Sequence, residues 1–237
     1  MLKCSSVPAD ARPVRRLLPA LAAAVVLALP SPAGAALISG GPHAEPRTDR
    51  AAARMVQRSS FEPRADNHAA NHTMPTAAQL RDFRSRSDMP NKRWVTGHFT
   101  GTTDEILQWG AYKWRVSPDL LRAVATVESW WHMSTVGDSG DSFGLMQIRR
   151  PYHCCEPLTS QDTAFNVDYY GAILRAYYGG KQPWLNQVER GRPYRAGDLW
   201  GSVGVWASGR WHLGDEEYVA KVRQRLAERT WRTDRWF

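Results

Sequence analysis

Large aromatic side chains limit what this chain can fold into, because they lie so unevenly along it. All eleven Trp residues fall at or after Trp94, and all eight Tyr residues at or after Tyr112. Rings of this size supply much of the area a small core can bury, so the folded mass is expected to be C-terminal. A chain of 237 residues suffices for one domain of roughly 150 residues with additional segments, and not for two generous ones. The expected division is a secretory signal over 1–35, a disordered or flexible tether over 36–93 and a folded domain over 94–237.

The first segment has the layout of an export signal. Lys3, Arg12, Arg15 and Arg16 precede an apolar run from Leu17 to Leu29, and Ala33-Gly34-Ala35 supplies a small-residue cleavage site. The run falls short of the roughly twenty apolar residues that span a bilayer, and no later stretch is apolar enough. The expectation is a secreted, extracellular or wall-associated protein with no stable membrane insertion after signal cleavage. Arg15-Arg16 hints at a twin-arginine route, but ordinary secretion is the expectation. The leader carries four of the basic residues and one acidic residue, so the formal charge of +8 falls to +5 without it. A basic exported protein meets anionic wall polymers or phospholipid surfaces rather than nucleic acid. Beyond the leader only Cys154 and Cys155 remain. As neighbours they cannot join distant elements, and two partly buried thiols are expected, with a vicinal disulfide as the alternative.

Residues 36–93 are rich in Ala, Arg, Pro, Asn, His and Ser, with Phe61 and Phe83 as the only aromatics before Trp94. Such a stretch buries little of its own, hence the tether, with one short helix near Thr76 to Arg84. His68 and His72 stand four apart, but in so polar a stretch they are read as solvated, and neither a metal nor an organic cofactor is expected.

The domain then reads as helical. Thr102 and Glu105 make a capping box that opens a helix to about Trp114. Ser117, Pro118 and Asp119 suit the cap and first turn of a second. Its inward stripe is Leu121, Val124, Ala125 and then Glu128, at helical spacing. Further helices are expected over about 161–178, 196–207 and 215–229. The Gly-rich stretch from Gly137 to Gly144 is a loop or short hairpin. The predicted class is mainly α, a helical bundle-like domain with a small irregular loop or β-hairpin at the active-site cleft.

Glu128 continues an apolar stripe and is followed by Ser129-Trp130-Trp131. Desolvation there raises a carboxyl's pKa, the condition for an acid that must hold a proton near neutrality and hand it to a leaving oxygen. After Glu128-Ser129 come the loop Gly137-Asp138-Ser139-Gly140-Asp141-Ser142-Phe143 and the run Gly144-Leu145-Met146-Gln147-Ile148. This combination resembles the soluble lytic transglycosylase and goose-type lysozyme superfamily, which has a Glu-Ser pair closing a helix and then a Gly-Leu-Met-Gln segment. Two further matches follow in order. Phe165-Asn166-Val167 is similar to the family's Asn-bearing helix, and Val205-Trp206-Ala207-Ser208-Gly209 takes the place of its Ala-Tyr-Asn-x-Gly segment.

The resemblance covers roughly residues 104–211 and implies a lysozyme-like fold acting on the glycan strands of peptidoglycan. It implies Glu128 as the catalytic acid, with Ser129, Ser142, Gly144, Met146, Gln147, Asn166 and Trp206 as substrate-binding positions. Gly144 would let the backbone approach the sugar, and Gln147 can offer a donor and an acceptor. Met146 and Leu145 read as core packing more than as contact, and Asn166 can face either substrate or a neighbouring backbone group. Trp130, Trp131 and Trp206 are candidate stacking faces. Trp206 in place of Tyr removes a phenol hydroxyl, and Ala207 replaces Asn, so hydrogen bonds from those two positions are not expected.

In this family one Glu protonates the leaving oxygen and then, as base, assists the muramic acid 6-hydroxyl in closing a 1,6-anhydro ring. Asp138 or Asp141 offers a second carboxylate that would instead activate water. Gly140-Asp141-Ser142-Phe143-Gly144 fits the G-x-S-x-G pattern of serine hydrolases, with His132 or His153 as base. That elbow needs a preceding strand and a following helix, which the sequence does not suggest. A non-catalytic glycan-binding protein is the remaining alternative.

Overall fold

The computed structural model describes residues 36–235 and Phe237, and the expected export signal at 1–35 lies outside them. Residues 36–93 depart from expectation: they are not a tether but fold in one unit with the C-terminal mass. They carry helices α1 (Asp49–Ala53), α2 (His68–Asn71) and α3 (Ala77–Arg86). α3 begins where expected, under a capping box between Thr76 and Gln79. Ala52, Leu80, Phe83 and Met89 enter the core, and buried polar pairs fix the rest. Lys113 lies 2.6 Å from both Asp49 and the fully buried Asp168. Glu62 accepts from the Thr103 amide at 2.6 Å, and the Asn91 amide donates to the Ala172 carbonyl at 2.9 Å. Composition measures whether a segment can bury its own side chains. This one packs on a core built elsewhere and is tied to it by the polar contacts of Asp49, Glu62 and Asn91.

The next elements follow their capping signals. α4 (Thr103–Lys113) opens under a capping box with both arms formed, Glu105 N–H to Thr102 and Thr102 N–H to Glu105. α5 (Pro118–Ser129) starts with Pro at its first position, although the Ser117 side chain makes no cap bond. Three two-residue strands follow, β1 (Val136–Gly137), β2 (Ser142–Phe143) and β3 (Ile148–Arg149), in an antiparallel sheet of order β1-β2-β3. Val136 pairs with Phe143, and Phe143 with Ile148.

The remaining helices are α6 (Leu158–Gln161), α7 (Thr163–Tyr178), α8 (Leu199–Ser208), α9 (Glu216–Glu228) and α10 (Thr230–Thr233). The protein is therefore mainly α with a small antiparallel sheet, as the sequence predicts. α7 is buried along its whole length, with α4 and α8 packed against it and α5 covered by α4, α9 and α10. A Cβ at Gly171 would sit 2.2 Å from the Trp114 ring, so glycine is what lets α7 approach α4 so closely. Trp114 also donates to Asp168 at 2.7 Å, locking the two helices in register.

Between β3 and α6, Cys154 and Cys155 form a vicinal disulfide rather than the expected pair of thiols. Adjacency prevents them from bridging distant elements but leaves the two sulfurs free to bond to each other. Among the described residues no helix is long and apolar enough to cross a membrane.

Candidate active site

α5 carries Leu121, Val124 and Ala125 into the core, all fully buried, and the same stripe ends at Glu128. Past Ser129 the chain reverses through Trp130 and Trp131, both with left-handed backbone (φ 52° and 65°). That conformation costs a non-glycine residue roughly 1–2 kcal/mol, and neighbouring side chains hold it. Arg64 Nε donates to the Trp130 carbonyl at 2.6 Å. Asn67 grips both sides of the turn, donating to the Trp131 carbonyl at 2.7 Å and accepting from the Met133 amide at 2.8 Å. The segment expected to be a tether thus fixes the turn that follows Glu128.

Glu128 keeps a partial opening to solvent, while protein atoms crowd its carboxyl. Burial pushes its pKa up from 4.5 to about 7, against hydrogen bonds from Tyr218 and Trp206 that favour the ionised form; the negative charge of Asp138 adds to the rise. The Tyr218 hydroxyl, on α9, donates to Glu128 Oε1. Burial also drives the Tyr218 phenol well above its ordinary range, so it stays protonated and serves as a donor. Tyr170, on α7, places a third polar group here. Its buried hydroxyl has no hydrogen-bond partner among the described residues, and burial, with the negative charge of Glu128 adding to it, drives its phenol well above the ordinary range, so it too stays protonated. At neutral pH the site holds a carboxyl balanced between its two forms, with donors ready for the anion.

The loss of hydrogen bonding expected at Trp206 does not hold. Its indole N–H, the only donor on that ring, bonds to Glu128, and the phenol comes from another helix. Trp206 is half-buried, stacked on His153 (5.5 Å between centroids, 11° between planes) and edge-on to Tyr170 at 5.0 Å. Trp130 is exposed, beside Arg225. Trp131 is fully buried, its N–H donating to the Arg122 carbonyl at 3.0 Å, so it offers no face to a sugar.

Most positions expected to touch substrate hold the site loop instead. Ser129 is buried, and its hydroxyl donates to the Leu145 carbonyl at 2.8 Å. Asn166 is fully buried and satisfied by backbone alone: it donates to the Phe143 and Thr159 carbonyls at 3.0 and 2.7 Å and accepts from the Met146 amide at 2.8 Å. Gly144 has φ +75°, and a Cβ there would lie 2.5 Å from Asn166 Nδ2. Its missing side chain makes room for that clasp, not for a sugar. Met146 is core. The Gln147 amide donates to the Thr135 and Gly144 carbonyls at 3.1 and 2.8 Å, which commits its donors inside the loop.

The two loop carboxylates separate clearly. Asp141 is paired with Arg150 at 2.7 Å. Asp138, its side chain half exposed, lies 3.6 Å from Arg149, accepts from Ser142 at 2.5 Å and is the one whose charge reaches Glu128. Ser142 is buried with its hydroxyl on Asp138. The candidate bases are engaged elsewhere, His132 with Asp66 and His153 with Trp206 and Tyr169. Burial pushes His153 down to about 4, so its ring is neutral at pH 7. Among the described residues no three His, Cys, Asp or Glu side chains gather as a metal centre requires.

Glu128 and Trp206 therefore come together and the charge of Asp138 reaches the carboxyl, while Ser129, Ser142, Gly144, Met146, Gln147 and Asn166 hold the site loop. Sequence reading missed Tyr218, Tyr170, Arg64 and Asn67. Only the first two left a trace, as aromatics on the inward stripes of α9 and α7. Neither a protein-family profile nor a curated protein matches the chain.

Proposed function

We propose that this protein is an exported peptidoglycan lytic transglycosylase that cleaves the β-1,4 bond from N-acetylmuramic acid to N-acetylglucosamine. The observation that carries the reading is the Glu128 carboxyl, poised near pKa 7 by burial and bonded by Tyr218 and Trp206. The protonated acid gives its proton to the glycosidic oxygen as the bond to the anomeric carbon breaks. The carboxylate left behind is stabilised by the Tyr218 and Trp206 donors. It then takes the proton of the muramic acid 6-hydroxyl as that oxygen closes on the anomeric carbon. The product is the 1,6-anhydro sugar, and Glu128 ends protonated again. The resemblance of the Glu-Ser, Gly-Leu-Met-Gln and Asn-bearing segments supports the same reading, as does a basic chain with an export-type leader.

One observation favours a second reading. Asp138 faces Glu128 electrostatically, and a carboxylate so placed suits activation of water and hydrolysis of lysozyme type. Digestion of purified peptidoglycan, with mass analysis of the released muropeptides, separates the readings. Products lighter by one water than their reducing counterparts, lost in Glu128→Gln and retained in Asp138→Asn, are expected. Reducing ends abolished by Asp138→Asn establish hydrolysis, and intact sacculi with bound protein indicate a glycan-binding protein.

A further inference from the structure

Beside the support of the candidate acid lies a bond that can be made and broken. Cys154 and Cys155 form their disulfide in the loop between β3 and α6, and the chain on either side of it leads back to the site. On one side His153, joined directly to Cys154, stacks on Trp206 (5.5 Å between centroids, 11° between planes), whose indole N–H bonds to Glu128. On the other, the Cys155 carbonyl accepts from the Thr159 amide at 3.4 Å. The Thr159 carbonyl in turn accepts from Asn166 at 2.7 Å, the side chain that clasps the site loop. A disulfide between neighbours closes a small ring through their shared peptide bond and restrains the backbone of both residues. Opening it returns that conformational freedom.

The disulfide also lines an open cavity of about 470 Å³, which has room for a small thiol. Cys155 is buried and Cys154 half-buried, so an incoming thiolate meets the Cys154 sulfur and expels the Cys155 thiolate. Arg86 and Arg150 stand in the same walls, half exposed. Cations so placed favour both the attacking and the departing thiolate. Asp88 and Glu156 line the cavity too, the Glu156 carboxylate already engaged by the Thr159 and Ser160 hydroxyls. The reaction balances with a dithiol. Its first thiolate forms a mixed disulfide with Cys154, and its second displaces that sulfur and closes the reductant's own disulfide. Two electrons and two protons end on Cys154 and Cys155. The freed Cys154 sulfur lies 4.0 Å from the Phe83 carbonyl, within reach of an S–H donor.

We propose that the Cys154–Cys155 disulfide is a redox modification site, reduced by a dithiol, whose opening loosens His153 from Trp206 and weakens the Trp206 bond to Glu128. The consequence for glycan cleavage rests on the transglycosylase reading. The test treats the full-length protein with dithiothreitol, without denaturant, and follows the His153 and Glu128 side chains by NMR. Both cysteines are expected to appear as thiols. With the disulfide closed, burial holds His153 down at about 4 against the charge of Asp88, with the Tyr169 ring edge-on to it. With it open, His153 rises towards the ordinary 6.5. Glu128, at about 7 with the disulfide closed, moves upward as its anion loses a donor. Muropeptide release falls about tenfold, the worth of one hydrogen bond to a charged group, and returns on reoxidation with glutathione disulfide. A Cys154→Ser/Cys155→Ser protein starts in the open condition and does not respond to dithiothreitol. The proposal is overturned by a disulfide that stays closed in the folded protein, by His153 and Glu128 titrations that ignore its opening, or by amide resonances that collapse across the whole molecule on reduction. Side chains that follow the redox state in a protein releasing no muropeptides in either state retain the switch and refute the catalytic reading.

Discussion

At Glu128 the same burial that makes an acid useful near neutrality also destabilises the fold, and the sign follows from its shift. The folded group holds its proton to about pH 7, whereas an unperturbed one releases it near 4.5. As pH rises through that window the unfolded chain ionises first, so stability falls between about 4.5 and 7 and is level above. The full penalty is up to about 3 kcal/mol, from 1.36 kcal/mol per unit, and is lessened by the partial opening to solvent. Asp162, pushed up to about 8 by burial, acts in the same direction, so only a comparison with the variant isolates Glu128. Glu128→Gln is expected to melt several degrees above the native protein at pH 8 and level with it at pH 4. Equal melting curves at both would mean that the carboxyl is ordinarily hydrated. Tyr218→Phe removes a bond to a charged acceptor, worth about 1.5–3 kcal/mol. It should lower kcat ten- to a hundredfold and move the alkaline limb of the pH–rate profile upward. A uniform loss with the limb unmoved would assign Tyr218 to packing instead. Glu128 is legible from spacing because a carboxylate continuing an apolar stripe is a local pattern. Tyr218 is not, since ninety positions of chain separate it from its partner.

Elements were legible where their ends are chemically marked. The capping boxes at Thr76 and Thr102, Pro118 opening α5 and the glycines closing α7 all act over three or four residues, the range a sequence pattern can express. The sheet was legible only as a loop or hairpin, because strands of two residues have too little length for alternation to show. What joins elements was not legible at all. Asn166 could have faced sugar or backbone and is a clasp between α7 and the site loop, a role defined by backbone groups up to twenty-three residues away. Asn67 does the same for the turn after α5, with no sequence signal. Asn67→Ala leaves the Met133 amide and the Trp131 carbonyl without that partner. Each buried group so stranded costs about 1–3 kcal/mol, and two left-handed tryptophans lose their restraint. A fall in stability of that order is expected from denaturant unfolding, together with faster amide exchange confined to 129–134. Exchange that quickened evenly across the molecule would show that Asn67 supports the fold in general and not this turn.

Seen across the whole molecule, the aromatic boundary near Trp94 marks where large rings begin, not where folding begins. Residues 36–93 add little apolar mass of their own, yet they cover Phe165 with Phe83, pair Asp49 with the buried ammonium of Lys113 and hold the turn beside the candidate acid. Removing them would leave Asp168 and Lys113 facing water on one side, expose a hydrophobic flank and release Trp130 and Trp131. A buried ion pair stripped of its surroundings no longer has the hydrogen bonds that offset its desolvation. A fragment of residues 94–237 is therefore expected to lose cooperative thermal unfolding by circular dichroism and to give poorly dispersed amide resonances. Adding back residues 36–93 as a separate chain should restore both, since the contacts are ring packing, an ion pair and hydrogen bonds, none of which needs a covalent link. A fragment that melts cooperatively at the temperature of the longer chain would return those residues to the role of tether and place the whole stabilising core C-terminal to Trp94.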